Sequence, residues 1–416
     1  MSPQKAHHKS KIFYGWYIVA AAFIILFINS GTRLSFGVIF KPMIAEFGWN
    51  RSLISSAYFL HMTVFAFSLA VVGKFYDRYG PKWVIIVSTV FVSVGYMLIS
   101  AMASFWQFFI SYGVIAAIGF GGTTVTLLAA ITSKWFDKHR GLAISLALSG
   151  SCWGQFVLVP VFSVIVLSYG WRASYFLIAL VMLVVNLSLA LLVIKGDPAE
   201  FKTKTAAPIH NVPASQDEAS QDLSLKEAMG TSSFWVFFLV MFICGSGDFL
   251  VAAHLIPFVT DCGISAVTAG KMLAWFGLLS LAGMLIAGYA ADFVGNKGPL
   301  AFTFLLRIAL FLLVLRYQNT ASFYIFALAF GSTFLVTAVL SPILIGRMYG
   351  LSHVGLISGV VGTIHHIGGG LWAFMGGLIF DQTGDYRLAF AISAIMALVA
   401  FFGSVIIKEK RHQAVK

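Results

Sequence analysis

Three cations, one carboxylate and two adjacent histidines stand inside stretches of chain that are otherwise apolar: Arg33, Lys271 and Arg307, then Asp248, then His365 and His366. In hydrocarbon each such charge costs about 2.5–3.5 kcal/mol on insertion scales, so these residues are expected to face one another or a wet cavity. Arg33 can grip a carboxylate through two parallel hydrogen bonds, which makes it the first candidate for substrate contact. Asp248 is a carboxyl whose charge a nearby cation would stabilise and whose isolation would favour the proton. A structural ion pair with Arg33 across the halves is the plain reading beside substrate contact, and Asp248 is also the candidate for a coupling proton. The imidazoles of His365 and His366 can hydrogen-bond a carboxylate or take up a proton near neutral pH. Neighbours on a helix point about 100° apart, so one of the two is expected to face a central cavity. His254, six residues after Asp248, is a second proton candidate, and Arg307 a further anion contact. Surplus positive charge around one buried acid favours an anion.

These side chains need apolar elements to hold them. Of the 416 residues 59% are hydrophobic and 10% charged, where a soluble domain carries about 25% charged. Hydropathy places twelve spans near 13–41, 52–74, 81–104, 106–133, 140–168, 172–195, 232–259, 266–290, 298–317, 321–346, 354–380 and 386–407, each long enough to cross about 30 Å of hydrocarbon. The fold class is therefore an all-α membrane protein. A polar stretch, 196–231, rich in Pro, Ser, Ala and charge, reads as a mobile linker between a first half, 1–195, and a second, 232–416. Of the 27 Lys and Arg, five (Lys41, Arg51, Arg172, Arg316, Arg387) fall on the face opposite the termini and three lie within spans; all others share the face of the termini and linker. That asymmetry puts both termini in the cytoplasm. The basic start before a long apolar run reads as the first span, not as a cleaved secretory signal. Trp16, Trp49, Trp83, Trp106, Trp135 and Trp171 lie near span ends, where an interfacial aromatic belt would put them.

The net charge of +12 is spread between spans, which argues for membrane topology and against nucleic-acid binding. Three cysteines, Cys152, Cys244 and Cys262, have no metal-ligand or redox spacing. There is no G-x4-GK[ST] phosphate loop, and the adjacent histidines lack the i, i+4 spacing of a metal-dependent hydrolase. No cofactor and no enzymatic activity are expected.

The chain repeats itself. Gly73-x3-Asp77-Arg78-x-Gly80-x-Lys82 returns as Gly288-x3-Asp292-x2-Gly295-x-Lys297, 215 residues later. The same offset lays 27–48 on 242–263, matching Phe27 with Phe242, Pro42 with Pro257, Glu46 with Asp261 and Arg33 with Asp248. Two related six-helix halves are implied, with a midplane site between them. The repeated loop, Asp77, Arg78 and Lys82 in one half and Asp292 and Lys297 in the other, reads as a cytoplasmic gate. His61, Gln155 and Asn29 are polar positions in spans two, five and one; interhelical hydrogen bonds are the plain reading, substrate contact the sharper one.

Twelve spans with this duplicated loop resemble the major facilitator superfamily over nearly the whole chain. Tyr14-Gly15-Trp16, KWFDKHRGLAISLALSGSCWGQFVLVP (134–160) and YGWRASYFLIA (169–179) narrow this to a resemblance to its monocarboxylate transporter and oxalate/formate antiporter family. The resemblance implies a secondary active transporter of small organic anions, a proton-coupled monocarboxylate symporter first and an organic-anion exchanger or exporter second. It would work by alternating access in the plasma (inner) membrane, with protons or a counter-anion as its coupling partner. The Asp and Arg that the family carries in helix eight fall at Ser280 and Met284 here, so that anchor is missing; its helix-one Lys falls near Leu34, beside Arg33.

Overall fold

In the computed structural model residues 13–136, 139–195, 223–350 and 353–407 are described, and no strand occurs among them. Ten apolar helical segments are long enough to cross a membrane. Two of them, Arg51–Ser100 and Arg140–Leu192, have 50 and 53 residues. At 1.5 Å per residue each runs to about 75 Å or more, over twice the hydrocarbon thickness. Both break at a glycine, Gly80 (φ 77°, ψ 173°) and Gly170 (φ 80°, ψ 162°). Each is therefore two spans, which makes twelve. The others run Gly15–Val38, Phe105–Trp135, Ser232–Asp261, Ala266–Ala291, Lys297–Arg316, Thr320–Tyr349, Val354–Thr383 and Arg387–Ile406; we number all twelve in chain order.

The glycine that ends the repeated loop motif has a backbone reason. Gly80 and Gly295 share one conformation, φ 77° and 76° with ψ 173° and 176°, a region that a side chain makes costly by about 1–3 kcal/mol. The repeat is also visible in packing. Span one crosses span five where a Cβ on Gly154 would collide with the Phe27 carbonyl, and span seven crosses span eleven where one on Gly368 would meet the Phe242 carbonyl at 2.6 Å. The two halves also touch closely: a Cβ on Gly37 would lie 2.9 Å from the Ala253 carbonyl and 3.5 Å from that of Ala252, the residue 215 positions after Gly37. Small residues at these crossings let backbones approach without a hydrophobic drive between helices.

Exposed apolar side chains such as Val184, Phe302, Ile395 and Phe402 cover the outside. Trp83 and Trp106 are exposed as a belt requires, but Trp135 and Trp171 are buried. The Trp171 indole donates to Glu46 at 2.7 Å beside the ion pair between Glu46 and Arg172. The Arg172 hydrogen bond holds the Glu46 carboxyl below its ordinary range. Of the linker, 196–222 lies outside the described residues. Its end is not loose: Ser224 and Glu227 form a capping box on the short helix Leu225–Met229, and the Leu223 amide donates to the Tyr349 carbonyl at 2.9 Å.

Candidate functional site

Span one is broken where it carries its charge. Its α-helix ends at Arg33 and continues through the 3₁₀ turn Phe36–Val38 into the helix Phe40–Phe47. Thr32 and Ser35 hydroxyls bond back to the Ile28 and Gly31 carbonyls at 2.7 and 2.8 Å, the i−4 back-bonds that accompany bends in helices. Arg33 is half-buried, its guanidinium carbon over Phe65 at 4.0 Å from the ring centre and one amino group 3.4 Å from the Met62 sulfur. Its Nε is buried without a partner, and no carboxylate pairs with it among the described residues. Tyr58, His61, Met62 and Phe65 recur at helical spacing, so span two presents one continuous face to it. Beside that face span four widens into a π-helix, Ser111–Ala116, and the His61 ring donates from Nδ1 to the Tyr112 carbonyl at 2.8 Å. His61 Nε2 and the Tyr112 hydroxyl are buried and unpartnered.

Asp248 does not pair with Arg33 as the sequence suggested. It is fully buried and pairs with Arg307 at 2.6 Å through one oxygen and with His365 Nε2 at 3.2 Å through the other. The Cys244 thiol donates to the same second oxygen at 3.4 Å. Arg307 is 1% exposed and points inward from span nine. Its Nε donates to the Thr333 hydroxyl at 3.0 Å and its Nη2 to the Thr333 carbonyl at 3.2 Å. Cys244, Asp248 and His365 place one ligand atom each within 4.8 Å, but the guanidinium 3.5 Å from the thiol and 2.6 Å from the carboxylate already supplies the positive charge a metal would bring. The donor set fits an ion-pair network.

His366 turns the other way, Nδ1 donating to the Gly362 carbonyl of its own helix at 2.8 Å. Its ring packs against Phe65 at 5.0 Å and Phe249 at 5.6 Å, between the halves. Both histidines are thus near the site, one in the charge network and one as a ring.

His254 makes no hydrogen bond to Asp248. It bonds the Tyr386 hydroxyl at 2.9 Å and donates to the Ala373 carbonyl at 2.7 Å, so its two nitrogens are committed in a different network. That network was not foreseen. Arg51, at the start of span two, is bidentate to Asp261 at 2.7 and 3.0 Å, donates to Tyr386 at 2.7 Å and lies over Phe380 at 3.5 Å. Lys41 joins Asp261 at 2.9 Å. Asp381 accepts from the backbone amides of Arg51 and Ser52 at 2.9 and 2.7 Å, a carboxylate on a helix N-terminus. Every one of these bonds to Arg51 joins the halves on the side away from the termini. On the terminus side the interface is open: Cβ atoms on Gly355, Gly359 or Gly362 of span eleven would meet nothing within 4 Å, whereas one on Gly370 or Gly377 would strike span two. The cleft therefore opens toward the termini up to the level of His366. Arg51→Gln should loosen the closed side, because truncating one partner of a desolvated pair costs about 2–5 kcal/mol. An impermeant thiol reagent should label a Ser55→Cys variant at least about tenfold faster in that background; an unchanged rate would remove the lock.

The remaining predicted residues serve packing in this conformation. Asn29 accepts from Asn186 at 2.9 Å inside the first half, and Gln155 donates to the Leu273 carbonyl at 3.1 Å between the halves. Lys271 is exposed. Asp77 and Arg78 are exposed, Lys82 donates to the Leu191 carbonyl at 3.1 Å within its own half, and the side chain of Asp292 lies outside the described ones. Lys297 is half-buried, and no ion pair joins Asp77 to the second half among the described residues.

Two six-helix halves that share a cleft, closed by ion pairs on one side and charged at mid-depth, define a membrane carrier. The chain belongs to the major facilitator superfamily, whose family model matches residues 22–274 and 237–416. It is similar to an uncharacterised MFS-type transporter, YcxA, of Bacillus subtilis, 26% identical over 95% of this chain and 98% of that one. Monocarboxylate transporter 13 of Rattus norvegicus is 24% identical over 96% and 92%, and monocarboxylate transporter 11 of Homo sapiens 26% over 94% and 82%. The fold is shared with an inward-facing crystal structure of a bacterial homologue of the human lysosomal transporter Spinster, at a TM-score of 0.75 and 15% identity over 96% and 99% of the two chains.

Proposed function

We propose that the chain is a proton-coupled symporter of small monocarboxylates, working by alternating access in the plasma membrane with both termini cytoplasmic. The observation that carries this is Arg33: a half-buried guanidinium at mid-depth, facing the cleft, with no acid of its own. A carboxylate arriving there gains a bidentate, charge-assisted grip in a poorly hydrated place, where such bonds are strongest. Relatives named monocarboxylate transporters support the substrate class.

The proton falls to His365. Its side chain is 15% exposed, whereas Asp248 is fully buried and tied to Arg307. A proton reaching the cleft meets the imidazole first, and Asp248 stabilises the imidazolium that forms. Substrate and proton together then leave the cleft with no added net charge, and the halves rock around it, the Arg51 lock opening as the repeated loops of the terminus side engage.

The test is uptake of labelled carboxylates into proteoliposomes with and without an inward proton gradient. Accumulation that collapses with the gradient is expected. Uptake that requires internal anion and ignores the gradient would make the chain an exchanger, and no uptake of any carboxylate would overturn the reading.

A further inference from the structure

Resting on that carboxylate reading, we infer that the site selects acids with a single negative charge and a flat aromatic body. The charge count comes first. Arg307 spends its charge on Asp248 at 2.6 Å, and the His365 imidazole is committed to the other Asp248 oxygen at 3.2 Å, so Arg33 is the one mid-depth guanidinium without a carboxylate among the described residues. A second carboxylate on the substrate would enter the cleft with no free cation to meet it, which is unfavourable at low dielectric.

The walls argue for the ring. The Arg33 guanidinium carbon stands 4.0 Å from the centre of the Phe65 ring, so the carboxylate anchor is itself set against an aromatic wall. From Phe65 a chain of rings crosses the cleft: Phe65 to His366 at 5.0 Å, His366 to Phe249 at 5.6 Å, Phe249 to Tyr58 at 6.4 Å. Tyr58 and Phe65 lie seven residues apart on one face of span two, and the other two rings come from the second half. His366 presents its ring here and not a free donor, since Nδ1 is bonded to Gly362. These spacings are those of offset and edge-to-face pairs, each of which adds affinity beyond simple burial. A three-carbon acid would reach Arg33 and leave these rings to one another; an aryl acid held by the same carboxylate would lie among rings from both halves.

Three 2-oxo acids separate the possibilities because they share one head group: pyruvate, phenylpyruvate, which adds a phenyl ring, and oxaloacetate, which adds a carboxylate. Binding to the purified full chain in detergent would be measured by calorimetry near neutral pH. Phenylpyruvate is expected to bind about tenfold more tightly than pyruvate, and oxaloacetate more weakly than either. In Phe249→Leu the phenylpyruvate to pyruvate ratio should fall toward one, while Phe249→Tyr, which keeps the ring, should preserve it. Phenylpyruvate no tighter than pyruvate, oxaloacetate as tight as pyruvate, or an unchanged ratio in Phe249→Leu would each overturn the inference while leaving the carboxylate reading standing. A monodisperse, folded protein that binds none of the three would overturn both.

Discussion

Replacing Arg33 by Gln is expected to lower carboxylate uptake, read as kcat/KM, by more than about a hundredfold, and at the same time to raise the melting temperature of the purified protein. The two effects have one cause. A bidentate guanidinium–carboxylate contact in a desolvated site is worth about 3 kcal/mol when one partner is truncated, and Gln offers a single neutral donor in its place. Without substrate, however, the guanidinium is a charge at mid-depth whose Nε has no acceptor and whose near neighbours are Phe65 and a methionine sulfur. Burying it unpaired costs free energy in the empty carrier, and Gln removes that cost. Arg33→Lys keeps the charge but loses the fork, so it should retain part of the uptake and none of the stability gain. A structural role for Arg33 makes the opposite prediction for stability: if Arg33→Gln melts lower and still transports within twofold of the parent, the anchor lies elsewhere.

Much of the architecture was legible because it rests on composition and repetition. Span positions follow from apolar length, and the 215-residue offset returns as the shared backbone conformation of Gly80 and Gly295 and as matched helix crossings. The site was legible in its members but not in its pairing. Arg33 and Asp248 occupy equivalent positions, and equivalence suggested contact. In the folded chain the symmetry is broken by Arg307, which takes Asp248 from within the same half. The lock shows the same limit. Glu46 and Asp261 are equivalent, as are Arg172 and Arg387. Glu46 takes Arg172, its neighbour within the half, whereas Asp261 takes Arg51 and Lys41 from the other half. Arg51 has an alanine, Ala266, at its equivalent position, and that unmatched cation was the available signal. Which acid an arginine meets 210 residues away is decided by packing between halves, and periodicity does not report it.

Arg307→Met should be the most destabilising single change in the second half. It leaves the Asp248 carboxylate buried, held only by a histidine and a thiol, and removal of one member of a buried pair costs about 3–5 kcal/mol. The thermal midpoint in detergent should drop by several degrees. Asp248→Asn alone strands the guanidinium instead and should cost a similar amount. Combined, Asp248→Asn/Arg307→Met removes both charges, and the double variant should melt closer to the parent than either single one, with an interaction energy of about 2 kcal/mol or more in the cycle. Stability and coupling then come apart. The double variant keeps Arg33 and the aromatic walls, so it should still exchange labelled for unlabelled carboxylate across the membrane. With no carboxylate to stabilise a charged His365, it should fail to accumulate substrate against a gradient when driven by protons. If the double variant accumulates as the parent does, the proton does not pass through this network. If it neither exchanges nor regains stability, Asp248 and Arg307 hold the helices together in a way their mutual charge does not explain.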